Sequence, residues 1–356
     1  MVKMKKILFI TTQYRVGERI YPIIPQLTKE FEVHLLVLYQ MHPSHNWPGN
    51  IDVRTSNFME KYVHLFKNVL TTIYDIKFEQ YDLILCDDNR ATKKWESEWI
   101  YQRKKCPMVC CSHGNTDDDS TKNHNKVFDK CFVFGKKEKT QHTLLGGIPS
   151  NDILLKQEYM SLTKEHILVI VNFLGNRYCE FKVAFDKHFF NNCGLVELQE
   201  KYNKKILIKL KSRADERGIN NEKYISNIMP ENLDYKIIID TKDDNKLIAQ
   251  SQAIISAPST IAFKAIQYGV PTVLIKNSGQ TGLFYDYPWL IDLDKDKIIN
   301  AIEEQSKLIT KGAIIIANSM NKLNRQKNKE WIDNTIEGGS SFNSTEIFIN
   351  EIKKLI

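Results

Sequence analysis

The chain has 356 residues, 42% hydrophobic and 26% charged, an ordinary globular composition that excludes a disordered, collagen-like or mini-protein chain. At about 150 residues per domain the length points to two domains, each large enough for its own core. Fifty Lys+Arg against 43 Asp+Glu leave a formal charge of +7, a mild excess that suits phosphate-bearing ligands or an anionic surface.

Short apolar runs alternate with longer amphipathic stretches from end to end. In the first half the predicted strands are Lys6–Thr12, Glu32–Tyr39, Tyr81–Asp87, Met108–Ser112 and Lys130–Gly135. They are continuous Val/Ile/Leu/Phe/Cys runs, which means burial on both faces and a parallel sheet covered by helices. Helical patterns fall between them at Ile20–Glu30, Asn57–Phe78, Lys93–Lys104 and Lys136–Leu145. After a polar stretch around Gln157–Glu165 the rhythm restarts. Strands are expected at Ile167–Phe173, Ile206–Leu210, Tyr235–Asp240, Ala253–Ser256 and Thr272–Ile275, with a helix near Phe181–Tyr202. A charged helical stretch follows Asp294 and leads to Gly338-Gly339-Ser340-Ser341, read as a flexible break before a final amphipathic helix.

The expected fold is therefore α/β, with two Rossmann-like doubly wound domains facing a cleft at the carboxyl ends of their strands. The boundaries predicted are 1–160, 161–335, and a C-terminal helix over 336–356 that crosses back to the first domain. The seven cysteines are an odd count without metal-ligand spacing, read as reduced thiols of a cytoplasmic protein. The basic-then-apolar start has only Ile7-Leu8-Phe9-Ile10 as its apolar part, too short for a signal core or a membrane span.

The strongest local signal runs from Ile254 to Ile275. A buried strand ends at Ser256, a helix opens at Ser259 or Thr260, and Gly269-Val270-Pro271 ends it before the next strand. Two hydroxyls then meet the positive end of a helix dipole, a ready site for phosphate. The plain alternative is that Ser259 merely caps a crossover helix. Val109-Cys110-Cys111-Ser112-His113-Gly114 is a second signal, because a His at a strand's carboxyl end projects into the cleft and accepts protons near neutral pH. The loop Thr11–Arg19 contains Gly17 but has neither a dinucleotide fingerprint nor a Walker phosphate loop.

These segments resemble the GT-B glycosyltransferases, nearest the branch of CDP-glycerol glycerophosphotransferases and capsule or teichoic-acid polymerases, with UDP-GlcNAc 2-epimerases as neighbours. The resemblance rests on the Ile254–Ile275 segment, the His113-Gly114 pair, Phe132–Lys137 and Leu145-Gly146-Gly147-Ile148-Pro149, about half of the chain. It implies a sugar or polyol-phosphate transferred from a CMP-, CDP- or UDP-linked donor to a glycan or lipid-linked acceptor in surface-polysaccharide synthesis, without a required metal. His113 is the implied base, with Asp117 and Glu18 as further catalytic candidates. The donor is expected at Ser256, Ser259, Thr260, Lys264, Lys209, Lys211, Arg213, Gln280 and Thr281, and the acceptor at Arg15 and Arg19.

The chain departs from that family at Lys264, where a ribose-binding Glu is usual, and at Lys209-Leu210-Lys211-Ser212-Arg213, where the glycerophosphotransferases carry His-Pro. Two other readings stay open: an epimerase-like isomerase and a non-catalytic nucleotide-sugar-binding subunit. Trp95, Trp99 and Arg103-Lys104-Lys105 suit peripheral contact with an anionic membrane surface, against packing with a solvated basic face. A nucleic-acid partner is not expected, since no reader module is recognisable.

Overall fold

The computed structural model describes residues 4–11, 18–38, 58, 60–88, 94–112, 127–155, 157–171, 186–210, 221–239, 243–276, 282–306 and 317–356. The chain forms two compact units, one of 1–152 with 333–356 and the other of 153–332.

The first unit is built on seven strands: β1 (Lys6–Thr11), β2 (Glu32–Val37), β3 (Asn68–Leu70), β4 (Leu83–Cys86), β5 (Met108–Cys111), β6 (Lys130–Val133) and β7 (Thr143–Leu145). Their order is β3-β2-β1-β4-β5-β6-β7 and every pairing is parallel. The second unit has β8 (His166–Val171), β9 (Lys205–Leu210), β10 (Tyr235–Ile238), β11 (Ser251–Ser256), β12 (Thr272–Ile275) and β13 (Leu290–Ile291), ordered β10-β9-β8-β11-β12-β13 and also all parallel. The continuous apolar runs explain both sheets. Alternate residues of β1 face opposite layers, Ile7 and Phe9 into one core, Leu8 and Ile10 into the other. Each such side chain contributes about 1.5–3 kcal/mol on full burial.

Strand order reverses once in each sheet, between β1 and β4 and between β8 and β11. Neighbouring crossovers there leave toward opposite faces, which opens a crevice at the carboxyl ends of the strands. The fold class read from the apolar runs is the one observed.

Three local expectations are corrected. The helix expected over Asn57–Phe78 is helical at Phe58 and over 60–62, and then gives way to short turns around β3, because Val69, Thr71, Thr72 and Ile73 form a β-branched run that favours extended backbone. The helix expected over Lys136–Leu145 stops after one turn at Glu138 and becomes β7. Thr143 Oγ1 donates to the carbonyls of Glu138 and Thr140, and Thr140 N donates to Thr143 Oγ1 at 2.7 Å, local bonds that compete with a helix. The helix expected over Phe181–Tyr202 is two helices where the chain is described, Lys187–Asn192 and Leu195–Tyr202, separated at Gly194 with φ +72°.

The glycine-serine segment expected to be flexible is a bonded turn. Ser340 N donates to Asp333 Oδ1, and Ser344 Oγ donates to Glu337 O. Asp152 then caps the final helix, Ser344–Lys353, accepting from Ser344 N at 3.2 Å and Thr345 N at 2.7 Å. Phe348 of that helix stacks on Phe132 of β6 at 3.9 Å, inside the core of the first unit. Six cysteines are free among the described residues, and burial pushes the thiols of Cys86, Cys110 and Cys111 well up.

Lys164 stands at the amino edge of the second sheet. Its Nζ donates to Ala249 O at 2.9 Å and lies 5.9 Å from the centre of the Tyr268 ring. Burial pulls its pKa down to about 7 from an ordinary 10.5. Between those values the unfolded chain holds a proton that the folded chain has released, so this group adds stability as pH rises through the window and removes it as pH falls toward 7. Lys164→Met is therefore expected to be more stable than the parent at about pH 7, with the gap closing toward pH 10, read by urea unfolding.

Gly269 ends the helix Thr260–Tyr268 at φ +90°, and a Cβ there would lie 1.9 Å from Asn321 O, a backbone atom. At Gly194 the nearest atoms are the movable tip of Ile299 at 3.0 Å. Gly269→Ala is expected to cost about 3 kcal/mol or more, combining left-handed strain with overpacking. Gly194→Ala should cost only about 1–2 kcal/mol. Denaturant midpoints of the two variants compare them directly.

Candidate functional site

Buried polar groups stand at the strand-order reversal of each sheet. In the first unit β1 ends in Thr11 and β4 runs into Asp87 and Asp88, all three fully buried. Thr11 Oγ1 donates to Asp87 Oδ2 at 2.7 Å, Tyr21 OH donates to the same oxygen at 3.0 Å, and the two hydroxyls lie 2.9 Å apart. Cys86 Sγ donates to Asp88 O at 3.1 Å. A buried carboxylate with two hydroxyl donors is held in one orientation, and losing either donor would leave an unsatisfied group.

Arg19 completes this end of the sheet. The residue is half-buried, and its Nη1 is closed off from solvent. One NH2 donates to Ser112 O at 2.6 Å, at the end of β5, and the cation lies 5.2 Å from the centre of the Phe134 ring. Burial pulls its pKa down, and the charges of Asp88, Cys111, Glu138 and Asp87 oppose that shift. Arg19, expected at the acceptor, has its guanidinium bonded at the end of β5. Glu18 is exposed just before it.

In the second unit β11 ends in Ser256, which is buried with its hydroxyl donating to Ala257 O at 2.7 Å. Ser259 is the N-cap residue of the helix Thr260–Tyr268, in extended backbone, and its side chain makes no capping bond. Its Oγ is buried and has no hydrogen-bond partner among the described residues. Thr260 is exposed at the first helical position, and Lys264 is half-buried four residues on, on the same helix face. Lys209, at the end of β9, pairs with Asp244 at 3.4 Å and keeps 13% of its side chain exposed.

His113, Asp117, Arg15, Lys211, Arg213, Gln280 and Thr281 lie outside the described residues. Of the remaining candidates, Ser256, Ser259, Thr260 and Lys264 come together around one helix start. Lys209 stands at the end of a strand of the same sheet. Asp87 and Asp88 are functional candidates that the sequence reading passed over. Their signal was present as two carboxylates directly after an apolar strand, and it was read as the strand's own end. Among the described residues no group of three or more His, Cys, Asp and Glu side chains could hold a metal ion, and no helix is long and apolar enough to cross a membrane.

No family model matches the chain, and no curated protein sequence does. Solved structures do. A UDP-GlcNAc 2-epimerase from Neisseria meningitidis bound to UDP-GlcNAc is similar with a TM-score of 0.57 and 13% identity, over 98% of this chain and 100% of that one. S. aureus MnaA with UDP is similar with a TM-score of 0.58 and 13% identity, over 99% and 98%. The wall teichoic acid polymerase TagF with CDPG gives 0.51 and 12%, over 99% and 90%. The fold is GT-B. At these identities the likeness reaches the fold of two Rossmann-like units and stops there.

A Ser that caps its helix costs about 1 kcal/mol when replaced by Ala. Ser259 makes no such bond, so the plain capping alternative does not account for it. Ser259→Ala is expected to raise unfolding free energy by about 1–3 kcal/mol by removing a buried, unbonded hydroxyl, whereas Asp87→Ala should cost about 2–3 kcal/mol by stranding Thr11 and Tyr21. Urea titrations of both variants check the contrast.

Proposed function

We propose that the chain is an enzyme of nucleotide-activated sugars or polyols, which binds the donor's phosphates at the start of the helix Thr260–Tyr268. The observation that carries this reading is the buried, unengaged hydroxyl of Ser259 at a helix N-terminus, beside a strand-order reversal. Helix N-termini favour anions by about 0.3–1 kcal/mol, and up to about 2 kcal/mol where partly buried. A donor phosphate oxygen would accept from the Ser259 and Thr260 hydroxyls and from the first backbone N–H groups of the helix. Lys264 adds a cation on the same face. Lys209 and Lys211 follow at the end of β9, where positive charge stabilises a leaving phosphate. A donor linked to CMP, CDP or UDP fits these contacts, and they do the neutralising work themselves without a metal.

In the leading reading the reaction is transfer of a sugar or polyol-phosphate to a glycan or lipid-linked acceptor, at the cytoplasmic face of a membrane. His113, one residue past Ser112, accepts the proton of the attacking hydroxyl.

A second reading is favoured by a specific observation, the buried carboxylates Asp87 and Asp88 at the reversal point of the first sheet. Isomerisation of a nucleotide sugar needs acid–base groups at a carbon and no acceptor, and a carboxylate kept from water is suited to that work.

A thermal-shift panel of CMP, CDP, UDP, GDP and their sugar or glycerol conjugates tests the donor site. A ligand at about 100 times its Kd adds about 2.7 kcal/mol of apparent stability. The shift should be selective for one nucleotide and lost in Ser259→Ala/Lys264→Ala. Incubation of the responding conjugate with and without acceptor then separates the readings. A product that needs the acceptor, and vanishes in His113→Ala, supports transfer. A new epimer formed from the conjugate alone, and lost in Asp88→Asn, supports isomerisation. A folded protein that answers no nucleotide would overturn both.

A further inference from the structure

One face of the first unit shows aromatic rings to solvent. The turn Ile73–Asp75 buries Ile73 and sends Tyr74 outward, 70% exposed, more than any other large apolar side chain described. Its ring meets that of Trp99 edge-on at 5.6 Å, and the buried ring of Phe78 lies 5.8 Å from Trp99. Trp99 is half-buried on the helix Lys94–Arg103 and packs against the core that holds Ile73, Phe78 and Ile100. One turn on, the Arg103 guanidinium lies 4.3 Å from the centre of the Trp99 ring, with Nη1 donating to Trp99 O at 3.3 Å. Thr72 Oγ1 accepts from Tyr74 N at 3.3 Å, which pins the turn that carries the tyrosine. A projecting ring is thus held by neighbouring rings, with a cation stacked beside them.

The charges around the rings lean positive. Arg103 and Lys105 are exposed where the helix ends, and Lys77 is exposed three residues after Tyr74. Lys104 is already paired with Asp129 at 2.6 Å. Asp75 and Glu79 are exposed on the same segment as Lys77, so three exposed cations stand against two exposed carboxylates.

We propose that this face docks on the surface of an anionic lipid bilayer. Tyrosine and tryptophan favour the boundary between water and lipid because each joins an apolar ring to a polar edge. Arginine and lysine lay their apolar stems there and keep the charge among the headgroups, each strengthening binding about fivefold. The small apolar area decides against a protein partner. Stable protein interfaces bury about 800 Å² on each side, whereas here one ring projects and a second is half-covered. The inference gives the lipid-linked acceptor of the transfer reading a surface, yet it stands without that reading.

The test is sedimentation of the full chain with vesicles of phosphatidylcholine alone, or with about one third phosphatidylglycerol, at about 0.1 M salt. No donor or acceptor is present, so the result is independent of the reaction the chain performs. Partition onto the anionic vesicles should exceed that onto the neutral ones by about tenfold or more. Arg103→Glu/Lys105→Glu should lower it about tenfold or more, and Tyr74→Ser about threefold or more. Lys236→Glu/Lys322→Glu makes the same charge change at exposed lysines of the second unit, and should leave partition within about twofold of the parent. All five positions are exposed, so urea midpoints of the variants should match the parent and separate lost binding from lost folding.

An equal loss in the second-unit variant means attraction by overall charge, and it overturns the proposal. Equal sedimentation with both vesicle types overturns it too, as does an unchanged partition in Tyr74→Ser. A dimer that forms without lipid and is split by Tyr74→Ser would assign the face to a second copy of the chain, and likewise overturns it.

Discussion

Burial of the central strands on both faces is the constraint on which the rest of the structure depends. β1, β4 and β8 are apolar except at their end residues, and β11 is apolar from Ala253 to Ile255. Each must therefore be covered above and below, and parallel crossovers are the way to do so with short connections. Once strand order reverses within such a sheet, two crossovers diverge and leave backbone groups uncovered at the carboxyl ends. Polar residues tolerated at those ends are then the ones the interior does not need. Thr11, Asp87 and Asp88 in one unit, and Ser256 to Thr260 in the other, stand where the apolar demand stops.

Much of this was legible in the sequence because an apolar strand buried on both faces leaves a continuous signature. The central strands were found to within a residue or two, and with them the α/β class. Three edge strands were not. β3 and β7 have three residues each and β13 has two, with partly exposed side chains that carry neither continuous nor alternating character. They exist because a neighbour offers hydrogen bonds, a tertiary fact that local propensity does not record. The surrounding segments, Asn57–Phe78 and Lys136–Leu145, were read as helices because they spaced their apolar residues loosely. Threonine bonds and β-branching decided otherwise.

The candidate site divides in the same way. The helix start at Ser259 and Thr260 was visible because a strand, a Ser/Thr turn and a Gly-terminated helix follow one another closely. Whether the serine caps that helix is a matter of side-chain rotation, which no spacing encodes. Arg19 is expected at the acceptor because the loop after the first strand faces the acceptor in the resembled fold. That its guanidinium meets Ser112, 93 residues on in the chain, is a tertiary fact that no local pattern records. Asp87 and Asp88 were overshadowed by the acidic run Asp117-Asp118-Asp119, more conspicuous in one dimension. An acidic pair closing an apolar strand is the stronger physical signal, because carboxylates are buried only where partners wait for them.

The two reversal points differ in the hydrogen bonds their polar groups make. In the first unit the hydroxyls of Thr11 and Tyr21 donate to Asp87, and Arg19 donates to the carbonyl of Ser112 at 2.6 Å. Such a network is costly to disturb and keeps its geometry whether or not a substrate is present. In the second unit a hydroxyl is buried without a partner at the positive end of a nine-residue helix. An unsatisfied buried group of this kind costs about 1–3 kcal/mol until something bonds it. A ligand oxygen arriving there relieves that cost in addition to making its own contacts.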